Sequence, residues 1–246
     1  TGLYSEGGNV TLDSTSKINT GANKAVGVFT KGAGQTITAN AGSTMTIGDS
    51  SFGFLNEGKG NTINSNVANQ TLGNDGTYIY SSDKSGTVNN NTVLTSTGSY
   101  NYGLYSAGTV TNNADINFGS GMGNVGIYST YGGTATNLSG RSVTVGASYI
   151  DPNNSLNNRY AVGMAAGFNG DGNPAKAYTG NVVNEGTINV NGEYSIGMYG
   201  TEAGTKVYNG TAPGSTATIN LGASNTTGMY LDNGAYGYNY GTIRSN

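Results

Sequence analysis

Short apolar phrases separated by runs of Gly, Asn, Ser and Thr recur along this chain at a near-constant spacing. The most distinct phrase is apolar-Gly-apolar-aromatic. It reads Val26-Gly27-Val28-Phe29, Tyr102-Gly103-Leu104-Tyr105, Val125-Gly126-Ile127-Tyr128 and Ile196-Gly197-Met198-Tyr199. Variants stand at Gly2-Leu3-Tyr4, Phe52-Gly53-Phe54-Leu55, Tyr78-Ile79-Tyr80, Val162-Gly163-Met164-Ala165 and Gly228-Met229-Tyr230. Counted from the glycine position, the nine copies begin at 2, 27, 53, 78, 103, 126, 163, 197 and 228, so they lie 25, 26, 25, 25, 23, 37, 34 and 31 residues apart. Two further apolar phrases follow in most intervals. The first centres on Val10, Ile37, Ile63, Val88, Val110, Val182 and Val207, and the second on Ile18, Met45-Ile47, Ile116-Phe118, Val143-Val145, Ile188-Val190 and Ile219-Leu221. Alternation with period two marks half-buried strands, and no segment carries a helical stripe. Three short strands per repeat describe a three-sided parallel β-solenoid. Parallel crossovers are right-handed, and the six-residue period of left-handed solenoids is missing. The predicted fold class is therefore all-β: a right-handed parallel β-helix of about nine turns, forming a rod roughly 40 Å long at about 4.8 Å per layer.

Strand alternation makes predictions for side chains. In Val26-Gly27-Val28-Phe29 it places both valines inside and the glycine and aromatic outside. Tyr4, Phe29, Tyr80, Tyr105, Tyr128, Tyr199 and Tyr230 then form an external stack, with glycines leaving room for the rings; cross-strand packing is the expected role, and a ligand-binding rail the alternative. A second column is Asn90, Asn112, Asn137, Asn184 and Asn209. Asparagine tolerates the left-handed backbone of a sharp corner, and its amide can bond to the next layer, so a corner ladder is expected. Asn137-Leu138-Ser139 and Asn209-Gly210-Thr211 also match glycosylation sequons, which would need a eukaryotic secretory route.

The chain divides into regular turns over 1–146, turns with long loops over 147–227, and a truncated final turn over 228–246. It opens on a strand phrase and stops at Gly241-Thr242-Ile243, which predicts more turns on at least one side. Pro152, Pro174 and Pro213 all fall in the longest turns, outside the strand phrases, and mark projecting loops.

With 43 glycines, 9% charged and 35% hydrophobic residues, the 246-residue chain has material for a thin, elongated core, while its 18 tyrosines and spaced Val, Ile and Leu argue against disorder. The net charge of −3 and scattered basic residues leave no footprint for phosphates, so nucleic acid is not an expected partner. With neither histidine nor cysteine, triad catalysis, a thiol nucleophile and the common transition-metal ligands are unavailable, and no catalytic residue, metal or cofactor is expected. Glycan cleavage would need paired acids, yet Asp115, Asp171, Glu185 and Glu193 fall at different places in their turns. Asp151-Pro152-Asn153 and Asp171-Gly172-Asn173 are oxygen-rich turns without the nonapeptide of calcium-binding solenoids. An ice-binding face would need Thr-x-Thr on one side of successive turns, and on the side where Thr44-Met45-Thr46 fits strictly the other turns carry Lys17, Asp115 and mixed Asn or Ser. No apolar run reaches the length of a membrane span.

The phrases Gly103-Leu104-Tyr105-Ser106, Gly126-Ile127-Tyr128-Ser129, Val110-Thr111-Asn112-Asn113-Ala114-Asp115-Ile116 and Val183-Asn184-Glu185-Gly186-Thr187-Ile188 carry a family likeness. The sequence resembles the passenger domains of type V autotransporters and is most similar to the large fusobacterial adhesins. The resemblance implies an outer-membrane β-barrel translocator beyond Asn246, as its only link to a membrane, and an extracellular rod at the bacterial surface.

The function expected is a non-catalytic adhesin or stalk segment that binds host or bacterial surface protein or glycan. A carbohydrate-active β-helix enzyme and an end-to-end polymerising fibre subunit are the alternatives. Binding is placed at the seventh turn, where Ala165 replaces the outward aromatic between two extensions, 147–160 and 168–179. They carry Tyr149, Arg159, Tyr160, Phe168, Asp171, Lys176 and Tyr178, aromatic and charged groups around a recess. Deleting 169–177 is expected to abolish adhesion and spare the rod.

Overall fold

Among the described residues, twenty-seven short strands, all paired in parallel, wind into nine turns. The computed structural model describes residues 1–170 and 173–245. The nine copies of the apolar-Gly-apolar-aromatic phrase, variants included, form one nine-stranded sheet, from Leu3–Ser5 to Thr227–Leu231. A second nine-stranded sheet runs from Val10–Leu12 to Tyr236–Asn239. The third has seven strands, from Asn69–Leu72 to Thr242–Ser245, and a separate pair, Lys17–Asn19 with Thr44–Thr46. The result is a right-handed parallel β-solenoid. Two middle strands, Thr134–Asn137 and Tyr236–Asn239, hide from an apolar scan because their inward positions hold Ala135 and Gly237.

Each turn contributes a few inward side chains, which stack on their counterparts one layer away. Val28, Phe54, Ile79, Leu104, Ile127, Met164 and Met198 line the first sheet, Ile37, Ile63, Val88, Val110, Val182 and Val207 the second, and Leu94, Ile116, Val143, Ile188 and Ile219 the third. Burial of one such aliphatic side chain stabilises by about 1.5–3 kcal/mol, so the continuous column is the main cohesive term.

The first sheet departs from simple alternation. Pairing passes from Val26↔Phe52 to Val28↔Phe54, and from Val125↔Val162 to Ile127↔Met164, and is not recorded at the glycine between them. A Cβ added at Gly163 would stand 2.7 Å from Ile188 Cγ2 across the core and 2.6 Å from the Gly197 carbonyl oxygen in the next layer. Glycine and the residue after it therefore both face inward, as at a bulge, while the residue before it turns outward beside the aromatic. This corrects the expectation that both apolar residues face in and glycine out: Val125, Val162 and Ile196 lie in an outer cluster with Ala165, Tyr128 and Tyr199. Glycine is needed for closeness to the core, and gives the outer rings no room. The fourth turn is the exception. Tyr78, between Gly53 and Gly103 in the neighbouring layers, is fully buried and its hydroxyl meets Ser65 Oγ at 2.6 Å.

The asparagine column runs inside the rod. Asn90 Nδ2 donates to Asn112 Oδ1 (2.8 Å), Asn112 to Asn137 (2.9 Å), Asn137 to Asn184 (3.0 Å), Asn184 to Asn209 (2.9 Å), and Asn209 to Asn239 (2.8 Å). Asn90, Asn112, Asn137, Asn184 and Asn209 are fully buried. Their second amide hydrogens reach backbone carbonyls two residues on in Asn90, Asn112 and Asn184. The expected left-handed backbone is absent here: these residues end extended strands, and positive φ falls instead on corner residues such as Asp75, Tyr100, Tyr194 and Asn225.

Candidate functional site

The outer face of the first sheet carries a column of packed aromatic rings. Tyr4 and Phe29 pack at 5.3 Å, Tyr80 and Tyr105 stack at 4.8 Å, Tyr105 meets Tyr128 edge-on at 4.7 Å, and Tyr199 stacks on Tyr230 at 5.9 Å. Leu55 breaks the column between Phe29 and Tyr80, and Ala165 breaks it between Tyr128 and Tyr199. Burial pushes the Tyr105 and Tyr128 hydroxyls far above their ordinary range, aided by the neighbouring phenols.

The two extensions stand at opposite ends of the strand Val162–Ala166, roughly 15 Å apart at the usual rise per residue. The first is a hairpin closed by reciprocal backbone bonds between Tyr149 and Arg159 (2.8 and 2.9 Å). Asp151 accepts from Asn153 N–H at 2.9 Å and Asn157 Nδ2 at 2.8 Å, bonds that hold its carboxyl below the usual range, the Asn157 contact foremost. The second extension is closed between Phe168 and Tyr178 by two bonds of 2.8 Å. The Tyr178 ring lies 3.8 Å from that of Tyr131, and Tyr128 Oη donates to the Gly167 carbonyl at 2.8 Å.

This geometry distributes the residues singled out from the sequence. Tyr149 and Arg159 line a hollow of about 440 Å³ with Asp75, Tyr100 and Asn157. Phe168 and Tyr178 pack with Tyr131 at the opposite edge. Lys176 ends the short 3-10 turn Pro174–Lys176 beyond them, and Asp171 lies outside the described residues. Ala165 floors a recess of about 170 Å³ between Tyr102, Tyr128 and Tyr199. The gap is thus roofed by neighbouring rings, and Ala165 is 6% exposed.

Tyr160 belongs to a larger feature that the sequence reading missed. It lines a groove of about 530 Å³ with Tyr194, Tyr199 and Tyr230 as walls, Val162, Ile196 and Thr227 as floor, and Asn225 and Asp232 as polar groups. Tyr160, Tyr194 and Tyr230 are each nearly half exposed. Tyr199 Oη lies 3.3 and 3.4 Å from the two Asp232 carboxylate oxygens. The spacing that could have revealed the groove is Tyr160-x-Val162, Tyr194-x-Ile196 and Asn225-x-Thr227: a corner residue two before an outward-facing strand residue, three turns running.

Fold and site together define a repetitive β-solenoid of the pectate lyase-like kind, a stack of flat faces on which one stretch of aromatic surface has been opened. Residues 1–242 match the family described as the BigA third pectate lyase-like domain, and the chain belongs to that family. No curated protein and no solved structure matches it.

Proposed function

We propose that the chain is a non-catalytic adhesin segment displayed on a bacterial cell surface, binding host or bacterial surface molecules through the outer face of its first sheet. BigA, after which the family is named, is an autotransporter-type adhesin, and the repeat grammar resembles the large fusobacterial adhesins; both favour a passenger rod carried by a separate translocator. The observation that carries the reading is the concentration of partly exposed tyrosines and a sizeable groove on one face of turns seven to nine. A polysaccharide hydrolase would need two carboxylates about the scissile bond, and Asp232 is the single carboxylate lining the groove among the described residues.

Beads coated with this chain should adhere to cultured host cells or to other bacteria more than beads carrying heat-unfolded chain. Release of reducing or unsaturated sugar ends from host and bacterial glycans, without adherence, would replace this reading with the enzymatic one.

A further inference from the structure

We infer that the groove of turns seven to nine binds a neutral pyranose unit of a glycan, seated on tyrosine rings and oriented by Asp232 and Asn225. The inference deepens the reading of this face as a binding surface. Four of the nine lining residues are tyrosines and three more, Val162, Ile196 and Thr227, present carbon atoms at the floor. A pyranose has an apolar C–H face and a rim of hydroxyls, which matches ring platforms edged by polar groups. Asp232 keeps acceptor capacity beyond its contact with Tyr199 Oη, and a carboxylate accepting from sugar hydroxyls forms the stronger, charge-assisted kind of bond. No Lys or Arg lines the groove among the described residues, so a sulfated, sialylated or uronic unit would face Asp232 uncompensated. A peptide strand would look for unpaired backbone, whereas two of the three strands flooring this groove, Val162–Ala166 and Ile196–Gly200, are paired on both sides, and Thr227–Leu231, the last strand of the sheet, is paired on one.

An independent observation concerns Tyr194. Its φ is +59°, in the left-handed region, at a corner column filled elsewhere by Lys24, Ser50, Asp75, Tyr100, Gly123 and Asn225 with the same sign of φ; the Tyr100 ring is accounted for by its edge-on packing against Tyr149 at 6.3 Å. Glycine, Asn and Asp adopt this backbone readily and a bulky aromatic does not. Its ring stands 45% exposed at the groove, where burial returns little. A side chain kept against backbone preference and without burial points to a use for the ring itself.

Saturation-transfer NMR with neutral di- and trisaccharides of glucose, galactose, mannose and N-acetylglucosamine, beside oligogalacturonate, tests the inference. At least one neutral sugar should receive saturation at its ring C–H protons, and oligogalacturonate should not. Tyr194→Asn should weaken that binding about tenfold or more while leaving the melting temperature unchanged or raised, because Asn suits the corner better. Asp232→Asn should weaken binding without unfolding the rod. Saturation of no neutral sugar at millimolar concentration, or undiminished binding by Tyr194→Asn, overturns the site. Cell adherence that survives both substitutions removes the groove and spares the adhesin reading; sugar binding without cell adherence does the reverse.

Discussion

At the scale of the residue, the most demanding position is the buried amide. Asn184 receives one amide hydrogen bond from Asn137, gives one to Asn209, and satisfies the Gly186 backbone at both N–H and C=O. Asn184→Ala strips partners from several groups that water cannot reach, and should cost about 1–3 kcal/mol or more in chemical denaturation. An unchanged denaturation midpoint would remove the ladder from the account of stability. Gly163 is held by a different constraint: Gly163→Ala adds a methyl against Ile188 and the Gly197 carbonyl, and should destabilise by roughly 1–3 kcal/mol, as overpacking does. If glycine instead faced solvent, the same change would be nearly neutral.

At the scale of the element, most strands announced themselves through large inward residues; two middle strands failed to do so because Ala135 or Gly237 took that place, and Asn69–Leu72 and Val93–Ser96 escaped although Leu72 and Leu94 face inward, because polar residues surround them. Period-two alternation also misled at the glycine, because two consecutive residues face the core there, and pattern alone carries no sign of a bulge. The loops were legible from proline and spacing, yet each closes on itself through its own backbone pair, so they do not enclose one site. The groove escaped because its tyrosines include Tyr160, Tyr194 and Tyr230, which stand a full turn of chain or more apart. Replacing 169–177 with a short Gly-Ser link should leave the rod intact, since Gly167 N–H and Asn181 N–H anchor both flanks to the preceding layer. Neutral-sugar binding should survive this deletion, because the groove lies on the side of the first extension. Loss of sugar binding, checked by the same NMR measurement, would return the site to the second extension.

At the scale of the whole molecule, the tyrosines tie stability to pH on the alkaline side. Burial raises the hydroxyl pKa of Tyr78, Tyr80, Tyr102, Tyr105, Tyr128 and Tyr199 above the ordinary value near 10. The folded state therefore holds protons that the unfolded chain releases. This contribution is complete below pH 10 and is lost as pH rises through 10 toward the folded values. Thermal melts should be flat from pH 7 to 9 and fall steeply above 10; a midpoint independent of pH up to 11.5 would contradict the burial of these rings.

The layered pairing also makes the rod a mechanical device. Tension between its ends pulls each layer away from the next in a peeling geometry, so turns should come off one at a time and not in a single rupture. Each event frees one repeat of chain: the 23 to 26 residues of the early turns yield roughly 80–90 Å of extended length, and the 31 to 37 of the later ones roughly 105–125 Å. Pulling single molecules in an optical trap should give two classes of step in that ratio, with the longer steps confined to the end bearing the groove. A tether that lengthens in instalments would absorb shear while the bound end stays attached, and one all-or-none step spanning the whole rod would deny it that role.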